Sequence, residues 1–151
     1  MQTVHQYLAW FFVLLWMGVI FYLSHQSGNE SGNLSSGISN TFLHGVQSLF
    51  PFIEIDEALF HHLIRKSAHF TAYFILGILV VHALGISKRI KAVFALIICA
   101  VYAASDEFHQ LFIPGRGSDV RDVMIDSIGA AAGISIYILC MAVAGRIMKR
   151  K

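Results

Sequence analysis

The side chains with the greatest chemical potential are concentrated between Ser105 and Gly133. The chain is 56% hydrophobic and only 13% charged, yet this stretch holds five carboxylates and two arginines between two long apolar runs. They are Asp106, Glu107, Asp119, Asp122, Asp126, Arg116 and Arg121. Because charged groups are costly in lipid, they normally pair or face a wet cavity. The pattern predicts a polar site at a membrane boundary, suited to binding charged groups or to acid–base chemistry.

Composition indicates a multi-span membrane protein. The mean hydropathy is +0.65, and four long apolar runs are present. A formal net charge of +2 is too small to indicate nucleic-acid binding. Cys99 and Cys140 both fall inside apolar runs. They are therefore predicted to be small buried residues rather than partners in a disulfide or ligands of a metal.

The apolar runs predict four membrane-spanning helices within a single domain, residues 1–151. The predicted spans are about 7–24, 67–84, 92–107 and 123–144, each close to the length needed to cross a hydrocarbon core. The first run lacks a positively charged start and a cleavage site, so we predict a retained span rather than a signal peptide. Asp56 is placed to cap the helix that leads into the second span.

The first loop predicts a further, shorter helix. Residues 25–40 are rich in Gly, Ser and Asn, which is typical of a solvated loop. Within residues 34–50, apolar side chains recur every three or four positions until Pro51: Leu34, Ile38, Phe42, Val46 and Leu49. We interpret this segment as an amphipathic helix on the outer membrane surface. A helix packed on the ends of the spans is the alternative. The predicted fold is all-α, an integral membrane four-helix bundle with an extracytoplasmic amphipathic helix in the first loop.

The basic residues predict the orientation. Seven of the eleven Lys and Arg residues lie in the turn at 88–91 and in the tail at 146–151, which four spans place on one side. The other four are Arg65, Lys66, Arg116 and Arg121. The side richer in basic residues is normally cytoplasmic. Both termini of this multi-pass protein are therefore predicted to be cytoplasmic, and the polar site to open outward.

Helical spacing predicts which side chains converge at the outer face. Residues four apart share a helix face, as His69 and Tyr73 do on the second span. A tight turn around Pro114 and Gly115 is expected to hold Arg116 over the helix ends. The predicted ligand-binding residues are Arg65, Lys66, His69, Tyr73, Asp106, Glu107, Gln110, Arg116, Arg121, Asp122 and Asp126. Solvated helix caps are the alternative interpretation of these charges.

No cofactor is predicted. His62 and His69 with Glu107 or Asp122 could assemble a divalent metal site, but no compact ligand motif is present. Nucleophilic catalysis has no stronger signal, because no elbow motif frames the nearby serines Ser67, Ser105 and Ser118.

The polar pattern resembles the VanZ-like family of bacterial membrane proteins. The residues that carry the resemblance are Ser24, Gln26, Arg65, Lys66, His69, Tyr73, Leu76, Gly77, Asp106, Glu107, Gln110, Phe112, Pro114, Gly115, Arg116, Asp122, Asp126, Gly129 and Gly133. One departure is Ala72, where family members often carry a carboxylate. The resemblance implies a protein of the bacterial cytoplasmic membrane that acts at the cell envelope. The family is named for an association with low-level teicoplanin resistance.

Two functions fit this sequence. In the first, the outer pocket binds a polar lipid headgroup, a lipid-linked cell-wall intermediate or a lipoglycopeptide, and arginines contact its phosphate or carboxylate. In the second, the protein is an intramembrane hydrolase or transferase acting on a lipid-linked substrate, with His69 or Glu107 as general base. A small transporter is a weaker third possibility, because the sequence shows no internal repeat.

Overall fold

The computed structural model describes residues 2–49, 56–85 and 89–148. They form five helices: α1 (Gln2–His25), α2 (Gly28–Leu49), α3 (Glu57–Leu84), α4 (Arg89–Gln110) and α5 (Val120–Met148). No strand occurs in these ranges, so the prediction of an all-α chain is confirmed. The four predicted spans fall within α1, α3, α4 and α5, and each helix extends beyond its predicted span.

Three helices are long and apolar enough to cross a membrane, by length and composition. They are the segments Val4–His25 of α1, Glu57–Leu84 of α3 and Val120–Met148 of α5. The fourth predicted span, α4, is not among them. Its last turns carry Asp106, Glu107 and Gln110, all of which are buried against the other helices rather than exposed on the surface. The polar end of α4 is therefore shielded inside the bundle.

Helix α3 lies at the centre of the bundle, since it packs against each of the other four helices. Its closest partner is α5. A Cβ atom added to Gly129 would lie 2.4 Å from the carbonyl oxygen of Phe70, and one added to Gly133 would lie 2.1 Å from that of Phe74. The residue numbers at these contacts increase together along both helices, so α3 and α5 run in the same direction. Small residues such as Gly129 and Gly133 let the two helix backbones approach this closely.

Helix α1 is joined to α3 and to α4 by hydrogen bonds within the apolar layer. The indole Nε1 of Trp16 donates to the carbonyl oxygen of Ala72 at 2.9 Å. The Tyr102 hydroxyl of α4 donates to the carbonyl oxygen of Met17 at 2.6 Å. In an apolar environment such bonds satisfy groups that would otherwise be costly to bury. They fix the depth of α1 relative to α3 and α4.

The two cysteines differ in their surroundings. Cys99 is fully buried in the apolar core, as predicted, whereas Cys140 is exposed on the surface of α5. The prediction that Cys140 is buried is therefore wrong. An apolar run cannot distinguish a core position from a position facing lipid, because both environments select the same residue types.

The Gly- and Ser-rich segment is a helix, and its prediction as a solvated loop is wrong. Helix α2 begins at Gly28, whose N–H donates to the carbonyl oxygen of Pro114 at 3.0 Å. Farther along, the Thr41 hydroxyl donates to the carbonyl oxygen of Gly37 at 3.0 Å. Hydroxyls that bond back to their own helix leave few polar groups unsatisfied. Tertiary contact at Gly28 thus fixes a helix start that composition alone does not favour.

The predicted apolar face of α2 is described only in part. The side chains of Leu34, Ile38 and Val46, together with residues 50–55 and hence Pro51, lie outside the described residues. Phe42 and Leu49 are exposed, whereas the neighbouring Leu43 is buried against the bundle. An exposed apolar row of this kind is compatible with a helix lying on a membrane surface.

The start of α3 follows the prediction from Asp56. The Asp56 carboxylate accepts hydrogen bonds from the N–H groups of Ala58 at 2.9 Å and Leu59 at 3.2 Å. These bonds satisfy two of the donors left free at a helix N-terminus. At the other end, Gly85 takes a positive φ of 68° and ends the helix. Helix α3 is therefore long enough to carry Arg65, Lys66 and His69 in its first half.

Candidate functional site

A cavity of about 660 Å³ lies where α1 and α4 end and α3 and α5 begin. Its walls come from α2, α3, the end of α4, the connection that follows it and the first turn of α5. The lining residues are Gly28, Gly32, Ser36, His61, His62, Arg65, Lys66, His69, Gln110, Gly115, Arg116, Gly117, Ser118, Asp119 and Asp122. The sequence predicted that polar side chains of α3, α4 and α5 would converge here, whereas the wall formed by α2 was not predicted.

The connection between α4 and α5 holds Arg116 in a fixed position. Gly115 has a φ of 75°, and the N–H of Arg116 donates to the carbonyl oxygen of Ile113 at 3.1 Å, so the predicted tight turn is confirmed. The guanidinium donates from Nη1 to Gln110 Oε1 at 3.2 Å and from Nη2 to the carbonyl oxygen of Leu23 at 3.0 Å. Arg116 is therefore preorganised by neutral partners.

Two arginines on the cavity wall lack a carboxylate partner. Among the side chains that the structure describes, no Asp or Glu oxygen lies within 4.0 Å of either Arg65 or Arg116. Burial lowers the pKa of Arg116 from its ordinary value; the charge of Asp106 opposes this shift, and the charge of Arg65 adds to it. An arginine nevertheless stays protonated in proteins. The two guanidinium groups thus place positive charge on one cavity without a direct contact to any described carboxylate.

Lys66 differs from these arginines, because it is already paired. Its Nζ atom contacts the Asp122 carboxylate on α5, and both side chains are largely shielded from solvent. Breaking a pair of this kind leaves the remaining charge poorly solvated. We infer that Lys66 and Asp122 mainly join α3 to α5 at the edge of the cavity.

His69 lies between the cavity and a fully buried acid. It lines the cavity, and its Nδ1 atom lies 3.4 Å from Oδ1 of Asp126, which has no exposed surface. A carboxylate behind an imidazole can fix the ring orientation and favour the protonated ring. This pair could therefore present a positively charged donor or a general base to a ligand.

Two further carboxylates lie behind residues that form the inner surface of the cavity, which we call its floor. Oε2 of Glu107 accepts the backbone N–H of Asp119 at 2.9 Å. Oδ2 of Asp106 accepts the Ser24 hydroxyl at 2.7 Å and Nε2 of Gln110 at 3.3 Å. Both carboxylates are almost completely buried. Each therefore positions a residue that lines the cavity.

Several buried polar atoms behind the cavity-lining residues have no hydrogen-bond partner among the residues that the structure describes. They are the Tyr73 hydroxyl, Oδ1 of Asp106, Oε1 of Glu107 and both carboxylate oxygens of Asp126. We call these four residues the inner acceptor cluster. Buried polar groups are normally satisfied, and each exception requires an explanation. The 3.4 Å contact between Asp126 and His69 is an ion-pair contact rather than a hydrogen bond.

The predicted site residues separate into three groups. Those on the cavity surface are Arg65, Lys66, His69, Gln110, Arg116 and Asp122. Those buried behind it are Tyr73, Asp106, Glu107 and Asp126. Arg121 is exposed and does not line the cavity; its backbone N–H donates to Oδ1 of Asp119 at 2.9 Å.

The structure adds residues that the sequence-based prediction did not include. The wall formed by α2 consists of Gly28, Gly32 and Ser36, whose four-residue spacing places them on one helix face. That spacing was present in the sequence, but the segment was predicted to be a loop. His61 and Asp119 also line the cavity. Ser24, which the family resemblance singled out, is hydrogen-bonded to the inner acceptor cluster.

The arrangement bears on metal binding and on nucleophilic catalysis. Within residues 2–49, 56–85 and 89–148, no group of three or more His, Cys, Asp or Glu residues is arranged to hold a metal ion. Ser118 lines the cavity, and no hydrogen bond among the described residues joins its hydroxyl to His69. A serine nucleophile normally lies within hydrogen-bonding reach of its base.

Comparison with known proteins gives one match, to a family. The model of the VanZ/LLP1 family matches residues 9–141, a range that includes the cavity and all the predicted site residues. No curated protein and no solved structure matches the chain.

Proposed function

The chain belongs to the VanZ/LLP1 family, and from this premise we propose that it is a cell-envelope membrane protein whose cavity binds an anionic headgroup. The headgroup is that of a membrane lipid, a lipid-linked cell-wall precursor or a lipoglycopeptide. The cavity opens outward, and both termini are cytoplasmic. The connection with teicoplanin resistance that the family resemblance implies would be one consequence of this binding.

One observation carries the proposal: two arginines line one cavity, and no carboxylate among the described side chains is in direct contact with either. Arg65 and Arg116 both line the cavity, and the latter is held in place by Gln110. Guanidinium groups recognise phosphate and carboxylate through paired N–H donors. An anion bound between them would relieve their mutual repulsion. The cavity volume of about 660 Å³ lies in the range usual for small-molecule sites.

Location supports a lipid-borne ligand. The cavity lies at one end of a bundle in which three helices are long and apolar enough to cross a membrane. Exposed apolar side chains lie close by in sequence, including Leu63 on α3 and Phe112 in the connection after α4. A polar cavity beside such a surface can receive a headgroup while its acyl or polyprenyl chain stays in the bilayer.

The proposed orientation predicts where a reporter enzyme will be active. Fusions of a phosphatase that works only outside the cytoplasm should be active after Ser27 and after Gly117. They should be inactive after Lys91 and after Lys151, because the basic residues retained in those fusions favour a cytoplasmic location. Phosphatase activity of the fusion after Lys151 would contradict the outward-facing cavity.

An enzyme of the hydrolase or transferase class is the second candidate, favoured by the contact between His69 and Asp126. A histidine that lines the cavity with a buried carboxylate behind it has the arrangement of an oriented general base. Glu107, the other candidate base, does not line the cavity and is bonded to the backbone of Asp119. His69 is therefore the residue on which catalysis would depend.

Replacement of His69 by Gln distinguishes binding from catalysis. Gln keeps part of the hydrogen-bonding capacity but cannot act as a base at neutral pH. If the cavity only binds, H69Q should weaken ligand affinity by about 1–3 kcal/mol, and saturation with ligand should restore function. Loss of a general base would instead reduce turnover by roughly 10²–10⁴-fold at any substrate concentration.

We expect the first result, measured as headgroup affinity of the purified protein alongside release of water-soluble products from a lipid-linked substrate. Ser105→Ala is a suitable control, because Ser105 is exposed and its hydroxyl bonds only to the Tyr102 carbonyl of its own helix. Turnover by the unmodified chain that H69Q abolishes, while its circular dichroism is unchanged, would replace the binding function with the enzymatic one.

A further inference from the structure

A closed series of hydrogen bonds joins Arg116 to the ends of α1 and α4. The Ser24 hydroxyl donates to Oδ2 of Asp106 at 2.7 Å, and Nε2 of Gln110 donates to the same oxygen at 3.3 Å. Oε1 of Gln110 accepts Nη1 of Arg116 at 3.2 Å, and Nη2 donates to the carbonyl oxygen of Leu23 at 3.0 Å. Because Leu23 precedes Ser24 in the chain, the series returns to its starting point. We call Leu23, Ser24, Asp106 and Gln110 the Arg116 support.

The middle of this series is buried behind the cavity. Ser24, Asp106 and Gln110 each have at most 5% of their surface exposed. Hydrogen bonds that are shielded from water in this way are electrostatically stronger than exposed ones. Gln110 and Arg116 line the cavity, whereas Ser24 and Asp106 do not. Any effect of Asp106 on a ligand therefore passes through Gln110 and Arg116.

Asp106 fixes the orientation of the Gln110 amide. Oδ2 of Asp106 accepts hydrogen bonds, so the end of the amide that faces it is the donor end, Nε2. The acceptor end, Oε1, then faces Arg116, which only donates. A flipped amide would place oxygen against oxygen at Asp106 and N–H against N–H at Arg116. Only one of the two amide orientations is therefore compatible with both neighbours.

The Arg116 support holds the guanidinium group and leaves part of it free for a ligand. A guanidinium has five N–H donors, of which Gln110 and Leu23 accept one each. Both partners are neutral, so they do not cancel the positive charge. The remaining N–H groups stay available to an anion in the cavity. A group that is held in place beforehand loses less conformational freedom on binding, which strengthens binding.

Resting on the function proposed above, we propose that Asp106 is a positioning residue for anion binding: through Gln110 it sets the direction in which Arg116 presents its free N–H groups to the ligand. Ser24 contributes by holding Asp106 from α1. Asp106 itself does not contact the ligand. Its role depends on acceptance of hydrogen bonds at Oδ2, since both bonds of the support go to that oxygen.

Two substitutions of Asp106 separate its hydrogen bonds from its charge. Asp106→Asn removes the carboxylate, but the amide oxygen can take the place of Oδ2 and accept from both Ser24 and Gln110. The amide nitrogen then takes the place of Oδ1, which has no partner among the described residues. Asp106→Leu is similar in size and accepts no hydrogen bond. We therefore expect D106L to release Gln110 and Arg116, and D106N to keep both in place.

The chemical reactivity of Arg116 reports its position without any ligand. The full chain, purified in a nonionic detergent, is treated with phenylglyoxal, which modifies guanidinium groups, and mass spectrometry gives the rate at each arginine. We expect Arg116 to react several-fold faster in D106L than in the unmodified chain, and at an unchanged rate in D106N. Arg121 is the internal control, because it is exposed and does not line the cavity. An unchanged Arg116 rate in D106L, or equal acceleration in D106L and D106N, would overturn the inference.

A second variant serves if D106L does not fold or if Arg121 also reacts faster, which would indicate general loosening of the bundle. Gln110→Leu removes the acceptor of the Arg116 Nη1 group directly. It should accelerate modification of Arg116 to the extent expected for D106L and leave Arg121 unchanged. An unchanged Arg116 rate in folded Q110L would likewise overturn the inference.

Lipid affinity shows whether this positioning matters for binding. Titrated with short-chain phosphatidic acid, D106L should bind about three- to tenfold more weakly than the unmodified chain, and D106N should differ from it by less than about twofold. In an Arg116→Ala background D106L should have no further effect, because it acts through Arg116 alone. In an Arg65→Ala background the full loss should remain. Equal losses in both backgrounds would reveal a merely structural effect and overturn the inference.

These measurements separate the inference from the function on which it rests. If lipid binding depends on Arg116 but D106L changes neither the reactivity of Arg116 nor the lipid affinity, the inference fails and the proposed function stands. If no phosphate lipid binds to the unmodified chain, or if binding is insensitive to both Arg65 and Arg116, the proposed function fails and the inference fails with it.

Discussion

Replacing Arg116 with lysine will weaken headgroup binding by about 1.5–3 kcal/mol, or roughly 10- to 150-fold. Lysine keeps the positive charge but loses the planar fork that donates to Gln110 and to the carbonyl oxygen of Leu23 at the same time. The cation will then no longer be held on the cavity wall. Titration with a short-chain phosphate lipid, in parallel with Arg65→Ala, measures the effect.

Arg121→Ala is the matched control for this prediction. The sequence placed Arg121 among the ligand-binding residues, but its side chain is exposed and does not line the cavity. Its replacement should change affinity by less than about threefold, since exposed charges make small contributions. Equal losses of lipid affinity in R116K and R121A would indicate that the ligand is attracted only by the overall positive charge at this end of the bundle. The proposal that Arg116 forms a preorganised anion-binding site would then be incorrect.

Replacing Gly133 with alanine will destabilise the bundle by about 1–3 kcal/mol or more. The new methyl carbon would lie 2.1 Å from the carbonyl oxygen of Phe74, a backbone atom that cannot move without displacing α3. Because α3 and α5 together carry Lys66, Asp122, His69 and Asp126, their separation would also open the site. The free energy of unfolding in mixed detergent micelles measures the stability, and lipid titration measures the site.

Gly145 provides a control on the same helix. A Cβ atom there meets nothing within 4 Å, so Gly145→Ala should be neutral or slightly stabilising through better helix propensity. If G133A and G145A had the same free energy of unfolding, that result would contradict the close packing of α3 against α5. A loss of lipid affinity in G133A without a loss of stability would mean that the helices reorient instead of separating.

Some features of this protein could be predicted because they depend on short-range or repetitive patterns. Long apolar runs determine where helices form in an apolar environment, so α1, α3, α4 and α5 contain the predicted spans. The cap at Asp56 and the turn at Gly115 depend on local backbone chemistry. The predicted topology put His69 and Asp126 at the same end of the bundle, and the two side chains are in contact.

Other features depend on contacts between residues far apart in the sequence. The Gly- and Ser-rich segment has the composition of a loop, yet α2 begins at Gly28 because its N–H reaches Pro114 across the fold. In the same way, no local pattern separates the paired Lys66 from the unpaired Arg65 beside it. The rotation of α3 about its own axis decides which of these two cations faces α5 and reaches Asp122.

The sequence by itself determined the helical class, the family resemblance and the concentration of ionisable residues at one end of the bundle. These follow from residue type and from the period of the helix, both of which are local. Only the tertiary structure decided that Arg116 lines a cavity whereas Arg121 does not, and that Glu107 supports the floor instead of facing a ligand. Those distinctions depend on side-chain direction and burial, which the close approach of α3, α4 and α5 sets.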